Sequence, residues 1–146
     1  MNQYNTQESG KRPDIKVIIA GGRDYDDYEM AKAELNMLIA PGVFNRKVTI
    51  VSGRCSVGKL TFTTKEGTKV YGADGIGERY AQEYGFEVEP YPADWSKGKK
   101  AGYIRNLQMA KAATHAIIFW DGKSKGSEMM IKLSKENGLR TVTINY

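Results

Sequence analysis

The chain has 146 residues, 40% apolar and 27% charged, with 22 Lys and Arg against 17 Asp and Glu for a net charge of +5. A chain of this length buries about 70% of the surface it exposes when unfolded, so its core needs neither disulfides nor a metal. The single cysteine, Cys55, excludes an internal disulfide, and the single histidine, His115, excludes the usual Cys/His zinc site.

The first 14 residues are polar, lack the apolar centre of a signal peptide, and read as a disordered or extended tail. The β-branched run KVIIA at 16–20 then stops at Gly21-Gly22, as a buried strand of a parallel sheet does. Asp26, Asp27 and Glu29 favour a helix N-terminus, and Met30, Ala33, Leu35, Leu38 and Ile39 form a helical stripe that ends at Pro41-Gly42. A second buried run, VTIV at 48–51, leads into Ser52-Gly53.

The segments 60–64 and 68–71 alternate around Lys65-Glu66-Gly67, which predicts a β-hairpin inserted over 54–71. A helix follows from Gly72, with Ile76, Tyr80, Ala81 and Tyr84 on one side and Gly85 closing it. The more polar segment 87–91 predicts a strand near a sheet edge. Ile104, Leu107 and Ala110 mark a further helix, 115–120 a strand, 127–137 a helix with Met130 and Leu133 inward, and 141–144 a last strand. Strands alternating with helices of this length imply an α/β fold over 15–146, with a mainly parallel five-stranded sheet covered on both faces.

Three strands end in glycine-containing turns, and in open α/β sheets ligands bind at that edge. The turn residues Gly21, Gly22, Arg23 and Asp24, then Ser52 and Gly53, then Asp121, Gly122, Ser124, Gly126 and Ser127 are therefore candidates for binding a phosphate or nucleotide. Backbone amides around Gly22 and Gly126 are expected to hold the anion together with Arg105, whose planar donors suit phosphate, beside Asn106. The segment 53–60 matches the phosphate-loop pattern G-x-x-x-x-G-K-[ST] except at its last position, where Leu60 stands, and it runs into a predicted strand instead of a helix. It is read as the base of the hairpin. Cys55 has no histidine near it in sequence and reads as an incidental thiol, His115 as a packing or capping residue, and Trp95 and Trp120 as core or pocket-wall residues.

Lys97, Lys99, Lys100, Arg105 and Lys111 lie in a stretch without acidic residues, a cluster that suits an anionic ligand. No metal and no cofactor are expected.

Taken together, VIIAGGRDY at 17–25, VSG at 51–53, GAD at 72–74 before ERYA at 78–81, PADW at 92–95, GYIRNLQM at 102–109 and DGKSKGS at 121–127 resemble the YspA-like family of the SLOG superfamily. The resemblance implies a Rossmann-like three-layer fold with strand order 3-2-1-4-5. It also implies a nucleotide-type pocket lined by Gly21, Gly22, Arg23, Gly72, Asp74, Arg105, Asn106, Gly122, Gly126 and Ser127, with Ala73 between its neighbours. The expected function is binding of a nucleotide or nucleotide-derived, ADP-ribose-like small molecule, for sensing or sequestration. The alternatives are a phosphoribohydrolase-type nucleotide N-glycosidase, using Arg105 with Asp121 or Glu128, and a DprA-like nucleic-acid binder. Two departures stand out: the insertion between the Ser-Gly turn and Gly-Ala-Asp, and Met130 where the hydrolases carry a catalytic Glu. The remaining expectations are a cytoplasmic location, no membrane partner because the longest apolar runs fall far short of roughly 20 residues, and a homo-oligomer, a dimer with the hairpin as contact being favoured.

Overall fold

The computed structural model describes residues 14–146, so the expected tail lies, except for Asp14, outside the described residues. In chain order the elements are β1 (Ile15–Gly21), α1 (Tyr28–Ile39), β2 (Val48–Ser52), β3 (Leu60–Thr63), β4 (Lys69–Tyr71), α2 (Gly72–Tyr84), β5 (Glu87–Pro90), a 3-10 segment (Trp95–Lys100), α3 (Ala101–Ala112), β6 (His115–Trp120), α4 (Lys125–Glu136) and β7 (Arg140–Asn145). Five of the strands form one sheet in the order β5-β2-β1-β6-β7, every pair parallel. Counted along the chain this is 3-2-1-4-5, a Rossmann-like α/β arrangement.

The composition of β1 follows from its central place. A strand flanked on both sides and covered on both faces has no solvated side, and Val17, Ile18 and Ile19 are all fully buried. Alternation along the strand divides them between two cores. Val17 and Ile19 face α1 and α2 with Leu35, Ile76 and Tyr80, whereas Ile18 and Ala20 face α3 and α4 with Met109, Met130 and Leu133. Helix α2 approaches β1 closely because Gly77 has no side chain: a Cβ there would lie 2.8 Å from that of Ile19. The polar strand β5 is an edge strand, as its glutamates and Pro90 predict.

Two details differ from the sequence expectation. The buried stripe of α1 is Tyr28, Ala31, Leu35 and Ile39, and Met30 and Ala33 face solvent. Spacings of three and four residues from Tyr28 keep the large aromatic ring inside, and Met30 falls off that face. Helix α4 begins two residues earlier than expected, at Lys125, because Ser124 caps it: the Ser124 hydroxyl accepts the Ser127 N–H at 3.4 Å.

The insertion is an antiparallel hairpin of β3 and β4, folded back onto α2. Its bases are tied to the turn after β1, with Lys59 N–H donating to the Arg23 carbonyl at 3.0 Å and Ala73 N–H to the Gly22 carbonyl at 3.1 Å. The segment 53–59 is thus no phosphate loop, since it enters a strand and Lys59 pairs with Asp26 at 3.6 Å. Val70 of β4 is fully buried, so α2 supplies the apolar cover that an isolated hairpin lacks. Among the described residues no helix is long and apolar enough to cross a membrane.

The hairpin seats on a glycine. A Cβ at Gly75 would meet the Thr61 hydroxyl and lie 2.6 Å from the Val70 carbonyl. Gly75→Ala should therefore lower stability by about 1–3 kcal/mol through overpacking, read as a fall in Tm in calorimetric melting; an unchanged Tm would show that the hairpin does not rest on α2.

Candidate functional site

A cavity of about 580 Å³ opens at the carboxyl ends of the strands. It lies where the chain, having run from β1 through β2 to β5, returns through α3 to place β6 on the other side of β1. Its walls come from the turns after β1 and β6, the start of the insertion, and the facing parts of α2, α3 and α4.

The floor is built around Arg105. Its Nε donates to the Asn106 side-chain oxygen at 2.9 Å and its Nη1 to the Gly53 carbonyl, which fixes the plane of the guanidinium. A Cβ at Gly53 would lie 2.9 Å from that nitrogen and 3.1 Å from an Asp74 carboxylate oxygen, so glycine lets both groups close on this turn. Asp74, in the first turn of α2, accepts the Cys55 N–H at 3.0 Å. Burial drives its pKa from the ordinary 3.8 up to about 6, against the pull of Arg105 and the Cys55 N–H and with a further push from Glu78.

One turn further along α2, Glu78 is buried, accepting the Ser52 hydroxyl at 2.6 Å and Arg54 Nε at 2.7 Å. Arg54 sits in the left-handed region at φ 52°, and its N–H donates to the Ser52 hydroxyl at 3.2 Å. These bonds hold the start of the insertion as a cavity wall.

The opposite wall is the N-terminal turn of α4. The Asp121 carboxylate accepts the Lys123 and Ser124 N–H groups, both at 2.8 Å, and these bonds hold its pKa below the ordinary value. The Ser127 hydroxyl lines the cavity, is buried, and has no hydrogen-bond partner among the described residues. Gly22 differs from the expectation. Its N–H donates to the Phe119 carbonyl at 3.1 Å, and the Tyr146 hydroxyl lies over it, so the Gly22 amide itself is not free for an anion.

Of the residues singled out from sequence, Gly21, Gly22, Arg23, Asp24, Asp74, Arg105, Asn106, Asp121, Ser124, Gly126 and Ser127 line the cavity. Ser52, Gly53, Gly72, Ala73 and Gly122 do not. The first four stand behind the wall: Ser52 holds Glu78, Gly53 holds Arg105, and Gly72, at φ 59°, and Ala73 pack against the turn after β1. Gly122 turns the chain at φ 83°. Among the lining residues that sequence reasoning missed are Arg54, Ser56, Val57 and Tyr146. The adjacency of 54–57 to the Ser-Gly turn was the available signal for the first three; nothing in the sequence marked Tyr146.

Trp95 is a wall residue, whereas Trp120 packs on the core of α3 and α4 and donates from Nε1 to the Ser124 carbonyl at 3.0 Å. His115 starts β6 with its ring edge-on to Phe44. The Cys55 thiol, pushed up by burial, donates to the Val57 carbonyl at 3.1 Å and is a poor nucleophile. Met130 lines the cavity, while Glu128 is exposed and outside it.

No protein-family model matches the chain, and no solved structure does. The chain is similar to the Gene 61 protein of Mycobacterium phage D29, at 36% identity over 78 residues. That stretch covers 49% of this chain and 62% of the relative's length.

The raised pKa of Asp74 has a signed consequence. The native state binds this proton more tightly than the unfolded chain, so the group's contribution to stability is complete below pH 3.8 and is lost as the pH rises through about 6. Denaturant melts of wild type and Asp74→Asn across pH 3 to 8 should show that component in wild type alone. Superimposable pH profiles would place the Asp74 pKa at its ordinary value.

Proposed function

We propose that this chain binds a nucleotide or a nucleotide-derived, ADP-ribose-like small molecule at the carboxyl ends of its strands, for sensing or sequestration, as a YspA-like member of the SLOG superfamily. The observation that carries the reading is the pairing, in one cavity, of the α4 N-terminal turn with the held guanidinium of Arg105. The turn presents a buried, unpartnered Ser127 hydroxyl beside amides at the positive end of the helix dipole. Donors of this kind suit a phosphate, and about 580 Å³ is within the range of small-molecule sites. The position of the cavity supports the same reading, because open parallel sheets bind ligands where the strand order reverses.

Recognition is favoured over hydrolysis by what the cavity wall carries. Met130 occupies the position at which the resemblance puts the hydrolase glutamate, Glu128 points to solvent, and Asp121 is committed to capping the turn before α4. One observation favours the N-glycosidase alternative: Asp74, buried in the cavity wall with its pKa raised to about 6, has the property of a general acid. The DprA-like alternative has less support, because Arg105 of the basic stretch turns into the cavity and away from any surface track. A cytoplasmic two-fold dimer completes the proposal; the exposed Leu60 of the hairpin is its candidate contact, and light scattering that returns a monomer at high micromolar concentration would remove it.

Titration calorimetry with AMP and ADP-ribose should detect binding, and Arg105→Ala should weaken it roughly ten- to hundredfold through loss of a charge-assisted contact. Unchanged affinity would take Arg105 out of the site. The bound compound should be recovered intact after denaturing the protein; catalytic release of free base that disappears in Asp74→Asn would replace binding by hydrolysis.

A further inference from the structure

The buried lining of the cavity mixes polar groups with Ala20, Met109 and Met130, and its exposed rim mixes Arg23, Asp24 and Asp121 with large apolar side chains. Of the polar lining groups, Asp74, Asn106 and Ser127 are less than 10% exposed and Arg105 is half-buried. Three other lining side chains are large, apolar and open to solvent: Trp95 at 62% exposure, Val57 at 54% and Tyr146 at 47%. Large apolar groups scattered singly over a surface need no explanation, but three gathered on one cavity mark where apolar ligand surface is met.

The three are not equivalent. Tyr146 is held in place, its ring 4.3 Å from that of Tyr25, which in turn stacks on Phe119 at 5.0 Å. Trp95 has no such support. It opens the 3-10 segment Trp95–Lys100, in which no residue is buried, and Gly98 at φ 71° breaks that segment in the middle. Its backbone is nonetheless anchored: the Asp94 carboxylate accepts the Ser96 N–H at 3.1 Å and the Ser96 hydroxyl at 2.6 Å. An indole with a pinned main chain and an uncovered face, standing on a ligand cavity, has the form of a stacking platform.

We infer that the cavity binds its ligand in one orientation, with the anionic ribose-phosphate end at Ser127 and Arg105 and a planar aromatic ring at the mouth, stacked on Trp95. The inference rests on the nucleotide reading and narrows it: the ligand class is a phosphate ester that carries an aromatic ring, and the ring supplies affinity that the sugar phosphate alone lacks. Stacking tolerates any flat base, so Trp95 selects for the presence of a ring and leaves its edge unread.

The test compares AMP and ADP-ribose with ribose 5-phosphate, which keeps the phosphate and sugar and has no ring, by calorimetry and tryptophan fluorescence. Wild type should bind the ring-bearing compounds more tightly and change its fluorescence with them. Trp95→Ala should weaken their binding roughly 5- to 150-fold and leave ribose 5-phosphate unaffected. Trp95→Phe should restore most of the affinity while abolishing the fluorescence change. Because the indole is exposed, these variants are expected to fold, and an unchanged Tm confirms it. If Trp95→Ala leaves all three affinities unchanged, or lowers them equally, the orientation is overturned and nucleotide binding stands. If wild type binds none of the three, both readings fail together.

Discussion

The cavity depends on one buried carboxylate, that of Glu78. It is almost wholly removed from water, and a charge in that position is tolerable only because the Ser52 hydroxyl and Arg54 satisfy it. In satisfying it they draw the residues after β2 down onto α2. That puts the Gly53 carbonyl where it receives Arg105 and the Cys55 N–H where it meets Asp74. Removing Arg54 would leave the Glu78 charge without its counter-ion, a loss of about 3–5 kcal/mol for a buried pair. The start of the insertion and the setting of Arg105 therefore depend on a residue that does not line the cavity.

The insertion changes this edge of the sheet in two ways. Its first residues add Arg54, Cys55, Ser56 and Val57 to the wall, and its last strand delivers the chain to Gly72, at φ 59°, directly behind the turn after β1. A side chain at Gly72 would meet the Gly22 carbonyl, so the return is possible only with glycine there. The hairpin and the glycine turn thus support each other, and Gly-Ala-Asp reaches the sheet edge although 18 residues separate it from the Ser-Gly turn.

Charge in the cavity is balanced at close range. Arg23, Arg54 and Arg105 stand among Asp24, Asp74 and Asp121, and most of these groups are committed: Arg54 to Glu78, Arg105 to Gly53 and Asn106, Asp121 to two backbone amides. What remains for a ligand are the α4 turn, the uncommitted part of the Arg105 guanidinium and the exposed Arg23 at the rim. The net charge of +5 consequently says little about this site. Recognition depends on which donors the fold leaves free.

How much of this was legible in the sequence divides along physical lines. Strands and helices are local: the short apolar runs at 16–20, 48–51 and 115–120 and the glycines that follow them fit buried parallel strands, and the edge position of β5 follows from its glutamates and Pro90. The hairpin, too, was visible in its alternation. Glycine turns marked the cavity edge because β1, β2 and β6 each run into one at their carboxyl ends. The exact membership of the site was not local. Whether Gly22 offers its amide depends on Phe119, nearly a hundred residues away, which takes it. Asp74 titrates near 6 because the packed fold excludes water, and Ser127 is left unpartnered because no neighbour reaches it. Tyr146 comes to the cavity only because β7 pairs beside β6. The sequence by itself determined which elements form and at which edge a ligand can bind; the tertiary structure alone decided which donors stay free, since a hydrogen bond is claimed by whatever partner folding brings nearest.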